Sequence, residues 1–170
     1  MAPTTATIPE VTPLLTQVGY VHYAFNANVA GLTHADSLAQ PEPGGNCLNW
    51  IVGHLCHAQN NLLAMLGQKP FWSEEISERY KRGSEPITDA DDALPFEEMV
   101  RLFNESQAPV MEGLSAMTSE KLSAKAPFSP TDNPDETVGS LLAGIIFHQA
   151  YTIGQTGLSR RLVRKAGAIK

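Results

Sequence analysis

The chain has 170 residues, 42% hydrophobic and 18% charged, which suits one ordered globular domain (residues 1–170) with a substantial core. Its formal net charge of −6 argues against a nucleic-acid partner, since phosphate binding needs a clustered basic surface. No stretch approaches the roughly 20 apolar residues of a membrane span, so no membrane partner is expected. The opening MAPTTATIPE lacks the basic start and apolar stretch of a signal peptide, and a cytoplasmic location is the resulting expectation.

A first helix is predicted from about Thr12 to Ala30. Thr12 can cap it, Pro13 suits the first turn, and Leu14, Leu15, Val18, Val21, His22 and Phe25 follow helical spacing. A second is predicted from about Cys47 to Leu66, capped by Asn46 after PEPGG and stopped by Gly67. A third runs from about Pro95 to Met117, with Glu97 and Glu98 in its first turn, where the helix dipole favours negative charge. The fourth runs from about Pro134 to Lys165, with Asn133 as cap, Glu136 in the third position and Gly167 past the end. Arg160, Arg161, Arg164 and Lys165 form a basic cluster there, suited to the negative end of a helix.

The loop around Thr33–Gly45 joins the first two helices. The connection KPFWSEEISERYKRGSEPITDADDAL between the second and third is too long to be structureless in a compact domain. It is expected to hold a short helix near Ser73–Lys81, with Phe71 and Trp72 packed on the bundle. The segment Ser119–Asn133 reads as irregular. No hairpin pattern, repeat or low-complexity tract competes. The expected fold is all-α, a four-helix bundle with a long crossover between helices two and three.

Cys47 and Cys56 lie nine residues apart in one predicted helix, a rise of about 13 Å that forbids a disulfide within it. They form no CxxC pair, so no redox motif or zinc knuckle is indicated.

On the second helix Leu48, Ile51, Val52, Leu55, Leu62 and Leu66 make one apolar stripe. His54 lies at its border, and His57 lies nearly opposite Leu55, where solvent is expected. On the fourth helix Leu141, Ile145, Thr152, Thr156, Ser159 and Val163 share a face, with His148, Gln149 and Gln155 at its edges. The polar run His148, Thr152, Gln155 and Ser159 needs internal partners: hydrogen bonds, water, a ligand or a metal. A lone histidine beside an apolar face is ordinarily a satisfied core residue. Two histidines on different helices, one in a polar stripe, raise a metal or ligand site between them. Thr152 could instead bond back to the carbonyl of His148. His22 could offer a third imidazole, whereas His34 sits in a loop without a visible partner. No Gly-rich phosphate loop, GxSxG or HExxH occurs.

Trp50-Ile51-Val52-Gly53-His54-Leu55 resembles the tryptophan-apolar-apolar-Gly-His-Leu pattern of the DinB/YfiT-like superfamily, a group of four-helix bundles with metalloenzyme members. The stretch His148-Gln149-Ala150-Tyr151-Thr152-Ile153-Gly154-Gln155 resembles the same group's pattern of His, three residues, His, one residue and Gly-Gln. The following Gly157-Leu158-Ser159-Arg160-Arg161-Leu162 is similar to its arginine-rich closing turn. The resemblance implies divalent-metal ligands (Zn or Ni) at His54 and His148, with Thr152 standing where the third imidazole belongs. Threonine is a poor neutral ligand, so the implied triad is incomplete. It further implies a thiol-dependent transferase, hydrolase or isomerase acting with a low-molecular-weight thiol, whose pKa the metal lowers.

The sequence supports two functional readings. One is a metal-dependent enzyme with a small-molecule substrate between helices two and four, Trp50, Tyr151, Thr152 and Gln155 lining the pocket or supporting the ligands. The other is a non-catalytic small-ligand-binding or stress-response protein of the same fold without metal. A homodimer is compatible with the apolar helix faces, but no interface is identified.

Overall fold

The computed structural model describes residues 7–169, with the side chain of Asp91 left aside. Residues 1–6, which carry most of the segment read for a leader, and Lys170 lie outside the described residues. The protein is all-helical, and no β-strand forms among the described residues; Lys125 and Thr137 make an isolated bridge. No described helix is long and apolar enough to cross a membrane.

Helix α1 (Thr12–Val29) buries Leu14, Val18, Val21, His22 and Phe25, the face expected from the spacing. A single turn, α2 (His34–Ser37), follows, held by a capping box between Thr33 and Asp36. Helix α3 (Leu48–Met65) has Cys47 rather than Asn46 as its N-cap, and no side chain caps it. It is buried on most of its circumference, because bundle helices cover one side and the crossover the other. The crossover contains α4 (Glu74–Glu78), capped by Ser73, within the range expected for a short helix.

The predicted third helix is two: α5 (Phe96–Glu105) and α6 (Gln107–Ser115), divided at Ser106. Proline cannot donate a helical N–H, and Pro109 is accommodated in the first turn of α6. The segment expected to be irregular begins with a short helix, α7 (Ser119–Ser123), capped by Thr118. Helix α8 (Val138–Leu162) starts later than expected: a reciprocal capping box between Thr137 and Ser140 displaces Asn133 and Pro134 from that role. Asn133 instead supports a turn, its side chain accepting the Asp135 N–H at 3.1 Å. The helix stops before Gly167, with Arg164 at φ 60° and the Lys165 N–H reaching back to the Arg160 carbonyl at 3.2 Å.

Helices α1, α3, α5–α6 and α8 form the bundle, and α8 packs against both α1 and α3. Arg160 and Arg161 lie in the last turn of α8, as expected of the basic cluster, and Arg160 also serves the end of α1. Arg160 donates to the carbonyls of Asn28 at 3.1 Å and Ala30 at 2.6 Å. The buried face of α8 is rotated from the predicted stripe. Ile146, Gln149 and Ile153 are buried, whereas Ile145 is only partly covered.

Candidate functional site

Four polar residues on one side of α3 hold the crossover. Asn49 donates to the Leu94 carbonyl at 2.9 Å, and the Asn60 side chain accepts the N–H groups of Phe71 and Trp72 at 2.9 and 3.0 Å. Between them His57 Nδ1 donates to the Ser77 carbonyl at 2.9 Å, and His54 Nδ1 to the Tyr80 carbonyl at 2.8 Å. The crossover therefore runs antiparallel along α3, pairing residue 60 with 71–72, residue 57 with 77 and residue 54 with 80. Gly53 permits the close approach: a Cβ there would overlap the ring of the fully buried Tyr80.

His54 and His148 meet across α3 and α8, their Nε2 atoms 3.2 Å apart and their rings nearly perpendicular. A carbonyl can only accept, so the Tyr80 contact places the His54 proton on Nδ1 and leaves its Nε2 with a lone pair. Two arrangements satisfy the 3.2 Å contact. His148 can donate an Nε2–H to His54, or both lone pairs can point to a shared electrophile. Trp50 stacks on His54 at 5.0 Å and donates its indole N–H to Ser84 Oγ at 3.1 Å, which fixes the ring plane from the other side.

Burial holds His54 below the ordinary histidine range, offset by the Tyr80 hydrogen bond and reinforced by the neighbouring imidazoles His148 and His57. Burial, then the positive charge of Arg82, does the same for His148. His57 is also lowered, chiefly by burial. Imidazoles that resist protonation keep the lone pairs needed by a hydrogen-bond donor or a metal.

The expected surrounding residues divide. Trp50 and Thr152 are buried, whereas Tyr151 is 66% exposed and Gln155 also faces outward, so neither lines an enclosed pocket in this chain. Thr156 and Ser159 bond back to carbonyls at 2.7 and 3.0 Å. Thr152, one turn from His148, makes no such hydroxyl bond among those described. His22 does not reach the pair; it is buried on α1 and stacked on Phe103 at 4.6 Å. His34 has partners after all, since its Nδ1 accepts the Phe96 N–H at 3.2 Å at the start of α5. Cys47 and Cys56 are buried and free, and burial pushes the Cys56 thiol up, away from nucleophilic use.

His57 was expected in solvent, but the crossover covers that side of α3 and leaves it half-buried. Beside His57 opens a cleft of about 570 Å³ between α3 and the crossover, including Asn61, Trp72, Glu74, Lys81 and Arg82. A buried chain elsewhere was also not anticipated: Gln149 donates to Gln59 at 2.6 Å, and Gln59 to Ser106 Oγ at 2.8 Å. The available signal was Gln59 and Gln149 on facing helices, beside the break in the third helix.

A helical bundle with a histidine pair bridging its second and last long helices, and a crossover laid over the second, defines the class. The DinB superfamily model matches residues 20–155, and the chain belongs to that superfamily. The fold is shared with a crystal structure described as the conserved protein of locus from Enterococcus faecalis. That structure is similar at TM-score 0.68 and 19% identity, over 89% of this chain and 95% of the other. No curated protein matches the chain.

Proposed function

We propose that the His54–His148 pair is the centre of a small-molecule site that supports thiol-dependent group transfer with a divalent metal, Zn or Ni. The observation carrying this reading is the convergence of two Nε2 atoms at 3.2 Å, with His54 locked by the Tyr80 carbonyl in the tautomer that frees its lone pair. Two zinc–nitrogen bonds of about 2.0–2.1 Å at a near-tetrahedral angle span about 3.3 Å, so the pair fits two corners of such a shell. Solvent or substrate would complete the shell, because position 152 holds a threonine rather than a third imidazole. Among the described residues no group of three or more His, Cys, Asp or Glu converges.

A divalent ion held there would supply Lewis acidity that lowers the pKa of a thiol or water. The chain's own contribution is orientation. Trp50 and Tyr80 hold the His54 ring, and burial keeps both imidazoles neutral. His148 is half-buried, so part of its ring stays accessible.

The incomplete donor set favours a second reading, a metal-free ligand-binding protein in which His148 donates to His54. Metal analysis separates the two. Stoichiometric zinc or nickel in purified protein, absent from His54→Ala, supports the first. No metal in the wild type after supplementation supports the second.

A further inference from the structure

The turn after Tyr80 is built as part of the site. The Ser84 N–H closes it onto the Lys81 carbonyl at 3.1 Å, and Gly83 adopts φ 79°, a conformation that favours glycine. Ser84 is tied to the indole of Trp50, which stacks on His54, while Tyr80 at the other end holds His54 directly. The turn thus places Arg82 in the lining of the cleft beside α3, which His57 shares.

The other charges near that cleft are accounted for differently. Lys81 pairs with Glu78 at 2.6 Å, and Arg79 donates to the Glu85 carbonyl at 3.1 Å. Glu74, at the start of α4, lines the opposite end, beside Asn60 and Trp72. Arg82 is exposed and makes no hydrogen bond or ion pair among the described residues, although its charge reaches His148. An unpaired guanidinium in the lining of a cleft that also holds a half-buried imidazole, His57, is an anion receptor, and its planar fork matches a carboxylate.

We infer that the cleft between α3 and the crossover binds a small carboxylate-bearing molecule, with Arg82 as the residue that recognises its carboxylate beside His57, whose ring stacks on that of His54 at 6.1 Å. This assignment rests on the pair being a small-molecule site, but it does not require a metal. The cleft volume, about 570 Å³, suits a ligand of metabolite size. Glu74 at the far end disfavours a second negative charge there, so a monocarboxylate fits better than a dicarboxylate.

The test is a titration of metal-free protein at constant ionic strength with benzoate, and with benzamide as its neutral counterpart, followed by NMR of the histidine C–H and Trp72 indole signals. Benzoate is expected to shift the His57, His148 and Trp72 signals saturably, and benzamide to leave them in place. Arg82→Gln is expected to weaken benzoate binding about tenfold or more, while Arg79→Gln leaves it unchanged. Equal binding of benzoate by wild type and Arg82→Gln, or equal binding of benzamide and benzoate, would overturn the assignment. Metal uptake by the same preparations keeps the two questions apart. His54-dependent uptake without Arg82-dependent benzoate binding refutes only the carboxylate site, and the converse refutes only the metal reading.

Discussion

The imidazoles of His54 and His148 stand nitrogen to nitrogen at 3.2 Å, and the Tyr80 carbonyl dictates which nitrogen of His54 is available for that contact. A main-chain group of the crossover thus sets the proton inventory of a site shared by two bundle helices. The two readings of the pair differ in a single feature, whether the two lone pairs are shared by a proton or by an ion.

Thr152 lies one turn beyond His148 on the same helix and is 4% exposed. Thr152→His is expected to raise zinc or nickel affinity about tenfold or more, equivalent to about 1.4 kcal/mol. Competition with a chelating dye measures it, and a melting curve checks that the larger side chain is accommodated. Unchanged affinity in a folded variant would mean that position 152 does not face the pair.

Gly53→Ala tests the coupling of crossover and site. The added methyl would overlap the Tyr80 ring, which is fully buried and whose hydroxyl accepts the Leu94 N–H at 3.1 Å, so it cannot swing into solvent. Overpacking of this kind should cost about 2–3 kcal/mol in urea unfolding. It should also shift the His54 ring signals, because the Tyr80 carbonyl moves with the ring. A neutral substitution would contradict the packing described.

The Gln149–Gln59–Ser106 chain predicts a non-additive pair. Gln149→Leu leaves the Gln59 carbonyl oxygen without its 2.6 Å partner and should cost about 1–3 kcal/mol. The double change Gln59→Leu/Gln149→Leu removes both groups, while Ser106 keeps its 2.6 Å bond to the Phe103 carbonyl. The double variant should therefore lose less than the two single variants combined, as measured by a denaturation cycle. Full additivity would show that the amides do not interact.

His22 predicts acid sensitivity unrelated to the site. Its Nδ1 is buried without a partner, and burial pushes the ring from 6.5 down to about 4, partly offset by Asn104. Above pH 6.5 it is neutral folded and unfolded, so it imposes no penalty. Between 6.5 and about 4 the unfolded chain binds a proton that the folded chain refuses, and stability falls by about 3 kcal/mol before levelling off. The site histidines are lowered too and act with the same sign. His22→Leu should remove only its own share, seen as a smaller stability difference between pH 7 and pH 4.5 than in wild type. An identical difference would place the His22 proton elsewhere.

Much of the bundle was legible because helical periodicity and breakers are local. The span of α1, the extent of α3 and the short helix of the crossover follow from residues within a few turns. Where boundaries moved, another local signal was stronger: the Thr137–Ser140 capping box started α8 in place of Asn133, and Ser106 with Pro109 split the third helix. His54 and His148 were legible as candidates because each sits beside an apolar stripe. His57 was misplaced in solvent, since a helical wheel does not show that a distant segment will cover its polar side.

By itself the sequence determined the helices, their apolar faces and the two histidines worth watching, since these depend on spacing along one chain segment. Only the tertiary structure decided that His54 and His148 touch, that Tyr80 assigns the proton on His54, that Tyr151 and Gln155 turn outward, and that Arg82 shares a cleft with His57. Those facts depend on contacts between residues far apart in the chain. They are set by how α8 rotates against α3 and where the crossover lies, neither of which a single helix's periodicity contains.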